Sequence, residues 1–374
     1  MEMSGLRFLD GGRARVATRL SAMTTGALLM GLCAITAQGT ADPQPAPRLA
    51  VSSALAASYA TPSERTASRH SCGLGQKLVP KCHILQGALV QPADYAAPQD
   101  SFLSYEAMVG VHQNVLHYYH QNQELFPTPW ELGLVNQPGS HRILFVSWKP
   151  EAGYSWADVA AGKDDAYLDR EAAYLKATFH KKFFLALHHE PEEEVIETPG
   201  SGYTASDYSA MYRHVVDRLR AAGVDNAVMV MQYMGAQTYA VRPWFGALWP
   251  GDDYVDWIGF DPYQKPNQNG QSGGFRRLMN LRWGNAWPGE YRWAVRHHPG
   301  KPIMLAEWGI AEKPGVASWK GRFFRNVVRN LHRYPELKAM VYFNQDVSRV
   351  QSSRISLRGF KKLARNKAFR VRVP

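Results

Sequence analysis

The chain has 374 residues, 45% of them hydrophobic, with 11 Trp, 18 Tyr and a net charge of +11. That is enough apolar material for one large barrel or two smaller domains around a sizeable core. Its three cysteines lack the His/Cys spacing of a zinc site, and no nucleic-acid-binding motif accompanies the positive charge, so both classes are excluded.

Arg7, Arg13, Arg15 and Arg19 precede an apolar run from Leu20 to Ala37, and small residues follow at Gly39 and Ala41. Positive, apolar, small is the order of a secretory signal, which predicts cleavage after Ala41 and a secreted protein. An uncleaved N-terminal membrane anchor is the alternative. Leu32 stands where a lipid-attachment site would need a small residue before Cys33, so lipidation is not expected. Residues 42–71, rich in Ala, Ser and Pro, read as a disordered linker, leaving 72–374 as the folded domain. Export makes a Cys72–Cys82 disulfide the default.

From Cys72 onward, short apolar runs alternate with helical patterns. Candidate strands are 83–90, 114–118, 142–148, 183–188, 227–232, 255–260, 302–307 and 338–343. The clearest helix is 204–223: Thr204 caps it with Asp207 three residues on, Tyr208, Met211, Tyr212, Val215 and Leu219 form one stripe, and Gly223 ends it. Segments 158–179 and 316–333 read similarly, whereas 130–140 is too weakly periodic to assign. Parallel strands need crossover helices, and eight such units close, so the expected fold is α/β, a (β/α)8 TIM barrel. A doubly wound sheet is the alternative. After Asp346 no acid follows, while nine Lys and Arg run from Arg349 to Arg372. This reads as a solvated basic face on the last helix with a frayed end. The functional alternative is contact with an anionic cell surface or polymer.

Two strands carry charge where packing does not want it. Phe183–Glu192 runs FFLALHHEPE, and Lys301–Ile310 runs KPIMLAEWGI. Each delivers a carboxylate, Glu190 or Glu307, to the C-terminal end of a barrel strand, the end where sites form. Two such acids are the layout of double-carboxylate chemistry, most commonly glycoside hydrolysis.

An acid/base after the fourth strand and a nucleophile after the seventh is the plan of the retaining barrel glycosidases. His189 before the acid, PIMLAEWG around Glu307 and DWIGFDPY at Asp256–Tyr263 resemble glycoside hydrolase family 26, the β-mannanase family, over roughly Cys72 to Arg370. The resemblance implies that Glu190 protonates the leaving oxygen and later activates water, while Glu307 forms a covalent glycosyl-enzyme. It further implies that Tyr263 hydrogen-bonds Glu307, that Asp261 touches sugar hydroxyls or Tyr263, and that His189 positions the acid or binds sugar. Trp148 and Trp308, at strand ends, are candidate stacking platforms, with His117 and Tyr119 as additional binding candidates. The family's Met-Asn-Gly after the His-Glu pair is replaced by Pro191, Glu192, Glu193 and Glu194, read as a solvated acidic loop, with a cation site or a cleft wall as the functional alternative. The expected partner is therefore a β-linked polysaccharide or oligosaccharide of β-mannan, β-1,3-xylan or β-glucan type. No cofactor, metal or nucleic acid is expected, and no membrane after signal cleavage. A non-catalytic polysaccharide-binding barrel is the alternative. A metal hydrolase built on His188, His189, Glu190 and Asp261 is disfavoured because adjacent strand histidines point to opposite faces.

Overall fold

The structure, a computed structural model, describes residues 72–91, 97–266 and 273–374. The expected signal (1–41) and linker (42–71) lie outside the described residues. Eight strands form the barrel: β1 Leu85–Leu89, β2 Val115–His120, β3 Ile143–Trp148, β4 Phe183–Leu187, β5 Ala227–Tyr233, β6 Trp257–Phe260, β7 Ile303–Ile310 and β8 Leu337–Phe343. Every neighbouring pair is parallel, and β8 closes on β1 through a register running from Leu85↔Ala339 to Leu89↔Phe343. The eight expected strands are all present, and the closed barrel replaces the doubly wound alternative.

Alternation along the strands divides the core in two. Val115, Phe145, Phe184, Val230, Met304 and Val341 fill the barrel interior. Leu116, Leu144, Val146, Leu185, Met231 and Leu305 face the helical layer. Those helices include α1 Pro98–Val109, α2 Pro129–Val135, α3 Trp156–Ala160, α4 Asp165–Thr178 and α5 Ala205–Ala221. Thr204 caps α5 with Asp207 as the sequence predicts. The expected helix 158–179 is instead two helices. Gly162 breaks it at a left-handed φ of 83°, where a β-carbon would lie 2.9 Å from the Asp165 carboxylate. Within 130–140 the chain does form α2, started by a Thr128/Glu131 capping box that outweighs its poor periodicity.

The N-terminal end of the barrel is plugged. The loop closed by the Cys72–Cys82 disulfide packs Leu78 against the interior residues, beside Val371 and Val373. The Arg372 amide donates to the Cys72 carbonyl at 2.8 Å, and the Trp257 indole donates to the Lys77 carbonyl at 2.7 Å. The chain end is therefore not frayed, contrary to the sequence reading, because Val373 has an apolar socket to fill.

Several carboxyls are buried in the helical layer. Burial pushes Glu171 up to about 9 and Glu290 up to about 8, each relieved only by backbone amides, from Phe126 and Leu281. Their folded values exceed those of the unfolded chain, so the folded state holds extra protons. The stability they contribute is complete below about pH 4.3 and is lost as pH rises through 8 to 9. Melting temperature is expected to fall between pH 5 and pH 9, and Glu171→Gln should flatten that slope. A Tm independent of pH over this range would count against the assignment.

Candidate active site

Behind β4 the chain turns sharply. His188 and Glu190 both take left-handed conformations, with φ of 47° and 54°, a region that costs non-glycine residues strain and recurs at functional sites. The kink is held by two backbone bonds: the His188 amide to the Trp148 carbonyl at 2.7 Å and the Glu190 amide to the Gln232 carbonyl at 3.0 Å. It sends the two histidines apart. His188 is buried on the outer side, where its imidazole meets Glu151, Glu194 and Trp156. His189 stacks on Tyr119, with ring centroids 4.9 Å apart. Burial, Lys149 and His188 lower His189 to about 3, so it is neutral at physiological pH.

Glu307 is aimed by an irregularity in β7. Between Leu305 and Trp308 this strand takes three steps while β8 takes two, from Met340 to Tyr342. The extra residue resets the alternation. Ala306 remains in the interior, and Glu307 meets Tyr119 and Tyr263 above it. Two residues, Tyr263–Gln264, pair with Gly309 and Ile310 at the top of β7. A β-carbon on Gly309 would lie 2.9 Å from the Tyr263 ring and closer still to Ser348, so only glycine admits that approach.

Both oxygens of Glu307 have phenol donors. Tyr263 donates to Oε2 at 2.5 Å and Tyr119 donates to Oε1. The Glu307 amide donates to Asp261 Oδ1 at 2.9 Å. One oxygen each from Glu190, Asp261 and Glu307 lies within 4.8 Å of the others. Three carboxyls this close cannot all be ionised. Burial first, then Glu307, Glu192 and Glu193, push Glu190 up to about 8. Asp261 is raised well above the carboxylate range by burial and then by Glu307 and Glu190. Glu307 is raised by burial, while the two phenols pull it back down.

A polar chain beneath the acids supports them. Gln232 Nε2 donates to Asp261 Oδ2, Ser147 Oγ donates to Gln232 Oε1, and His117 Nε2 meets Ser147 Oγ, each at 2.8 Å. Because the hydroxyl's one proton goes to Gln232, His117 must donate from Nε2. Burial lowers the His117 pKa well below its usual value, consistent with that neutral ring. Gln232 and Ser147 escaped the sequence reading. Their only signal was a polar side chain near the C-terminal end of an otherwise apolar strand.

The structure brings Glu190, Glu307, His189, Asp261, Tyr263 and Tyr119 together. It corrects three other expectations. Trp148 is fully buried and points outward, its indole donating to Tyr167 at 3.0 Å. Alternation requires this once Ser147 points inward. Trp308 likewise faces the helical layer, edge-on to Tyr342 at 4.8 Å. Neither can stack on substrate. His117 lies under the floor, sandwiched on Phe145 at 4.1 Å, and cannot touch a ligand. The acidic run is solvated only in part. Glu192 is buried and accepts from the Met234 and Gly235 amides at 3.1 and 3.2 Å, whereas Glu193 and Glu194 are exposed, Glu194 pairing with Lys149 at 2.5 Å. Only Glu193 of the three turns to the cleft, a hollow of about 510 Å³ also lined by Glu190, Gln237, Tyr263, Lys265 and Arg277. Two acidic clusters have spacing that could hold a cation, Glu190/Asp261/Glu307 and Glu151/His188/Glu194. In both, the carboxylates already have protein hydrogen-bond partners.

Tyr263→Phe removes one donor from Glu307. A hydrogen bond to a charged group is worth about 1.5–3 kcal/mol, so kcat/KM is expected to fall roughly 10- to 100-fold. The acid limb of the pH profile should move up, because that phenol lowers the Glu307 pKa. An unmoved acid limb would deny Tyr263 this role.

A closed parallel barrel whose fourth and seventh strands present carboxyls across one mouth defines a paired-carboxylate (β/α)8 protein. The chain matches the glycosyl hydrolase family 26 model over residues 187–287. It is 27% identical over 232 residues to Endoglucanase H of Acetivibrio thermocellus, covering 59% of this chain and 24% of that protein. It is 31% identical over 138 residues to Beta-1,3-xylanase TXYA of a Vibrio species, covering 36% of this chain and 28% of that one. The chain thus spans about a quarter of the length of these curated relatives. In fold it resembles a ruminal family 26 endo-beta-1,4-mannanase, with a TM-score of 0.54 and 16% identity over 76% of this chain and 64% of that one.

Proposed function

We propose that this chain is a secreted glycoside hydrolase that cleaves a β-linked polysaccharide with retention of configuration. The observation that carries the reading is the close approach of Glu190 and Glu307, with oxygens within 4.8 Å. Retaining enzymes hold their carboxyls roughly 5–5.5 Å apart, whereas inverting ones leave roughly 6.5–9.5 Å for a water. Glu190, protonated below about pH 8, donates to the glycosidic oxygen as the bond breaks. Glu307, ionised and fixed by two phenols, attacks the anomeric carbon and becomes a glycosyl ester. Esterification removes the Glu307 charge that helped raise Glu190, so the Glu190 pKa falls. Glu190, now ionised, takes a proton from the incoming water. Asp261 and Gln232 act as positioning residues through Glu190 and Glu307.

The names of the two sequence relatives support a β-glucan or β-1,3-xylan substrate over mannan, whose support is a likeness of fold. Export rests on the basic, apolar and small order of residues 1–41. Reducing-sugar release should be screened over lichenan, β-1,3-xylan, arabinoxylan and mannan. The first product, followed by proton NMR, is expected to keep the β anomer. Early α product would overturn retention. Tight binding without release on every glycan would favour a non-catalytic barrel.

A further inference from the structure

Charge is distributed very unevenly along this chain. Residues 313–374 carry 16 Lys and Arg against two acids, Glu336 and Asp346, leaving the first 312 residues with 27 cations and 30 acids. Much of that excess falls on two helices, one spanning Trp319–Asn330 and the other Arg354–Ala364. They pack closely because two glycines meet: a β-carbon on Gly359 would lie 2.8 Å from the Gly321 α-carbon. Their outer faces carry Arg322, Arg325, Arg329, Arg358 and Lys362, all exposed.

Arg325 and Arg329, one turn apart, form a ridge with a hollow on each side. One hollow, of about 340 Å³, is lined by Trp319, Arg322, Phe323 and Asn326 as well as the ridge. The other, of about 270 Å³, lies towards the second helix and adds Lys362 and Asn366. Some cations elsewhere on the barrel are paired, as Arg218 is with Asp165 and Asp169, and Arg142 with Glu106. Among the described residues, no carboxylate lies within ion-pair distance of these five. At the end of the larger hollow lies the half-buried Trp319 indole, with Lys313 5.5 Å over the ring.

We propose that this face binds a carboxylated polysaccharide, separately from the catalytic cleft. Guanidinium forks pair bidentately with planar carboxylates, which favours uronate groups along a chain. Hollows on both sides of a ridge suit a strand-like ligand rather than the flat surface of a bilayer. A single aromatic side chain beside the hollow fits one sugar ring, whereas a single-stranded nucleic acid would call for a row of stacking platforms. The binding would hold the catalytic mouth against an acidic matrix and raise the local glycan concentration.

The test is affinity electrophoresis of the full chain through gels containing polygalacturonate, with neutral glucomannan in parallel. Polygalacturonate should retard the protein, and added salt should weaken the effect by screening. Arg325→Gln with Arg329→Gln should weaken it about tenfold. Arg292→Gln with Arg296→Gln, the same charge change on the exposed face of another helix, should change it less than twofold. Tm should match wild type for both pairs, and oligosaccharide hydrolysis should be unaltered. The proposal is overturned by absence of retardation, by equal loss in the two pairs, or by tighter binding to phosphatidylglycerol vesicles or duplex DNA. This readout needs no turnover, so it stands or falls apart from the glycosidase reading.

Discussion

Replacing Glu307 by alanine is expected to abolish turnover, by on the order of 10⁴-fold or more, as loss of a nucleophile does when the remaining machinery cannot substitute. Nothing in the surrounding fold depends on the charge. Glu307 is held by two phenols whose own pKa values it helps raise, and its backbone bond to Asp261 survives truncation. The variant should therefore fold, with Tm close to wild type, because removing a buried carboxylate offsets the loss of the acceptor for two phenols. It should also lower the Glu190 pKa from about 8, because Glu307 is the second contributor to that shift after burial. Titrating Glu190 by NMR in wild type and variant checks this directly. Retained hydrolysis would sink the nucleophile assignment. An unmoved Glu190 pKa would show that the two carboxyls are not electrostatically linked.

Glu190→Gln should show a different signature. General acid catalysis is worth about 10²–10⁴-fold, and the loss depends on how much help the leaving group needs. Polysaccharide turnover should fall by that amount. Aryl glycosides with acidic phenols should still form the glycosyl-enzyme quickly and then stall, because no base remains to activate water. The pH profile should change with it. In the wild type, activity requires a protonated Glu190 and so declines as pH rises through about 8. In the glutamine variant that limb disappears. A retained alkaline limb near pH 8 would assign it to another group.

How much of this was readable in advance differs from residue to residue. Strands of a parallel barrel are buried on both faces, so they stand out as apolar runs, and carboxylates at their ends are conspicuous against that background. The same burial hides direction. In ILFVSW, Ile143–Trp148, no polar alternation marks which side chains face the axis, so Trp148 passes for a cleft residue when it packs outward on Tyr167. Ser147 was the cue. Glu192 could not be placed because its partners are amides of Met234 and Gly235, more than 40 residues downstream and brought beside it by the parallel pairing of β4 with β5. The basic C-terminal segment was visible as charge, but the hollow between its two helices is lined by Gly359, whose close packing on Gly321 the charge pattern does not reveal.

The extra step in β7 restricts how such a nucleophile could arise. On an evenly pleated strand, position 307 would fall on the helix-facing side, between two interior residues, and no exchange of one amino acid for another could turn it inward. Deleting Ala306 would restore regular pairing with β8 and set the acid opposite Val341, pressed into the packed barrel interior rather than raised to the mouth.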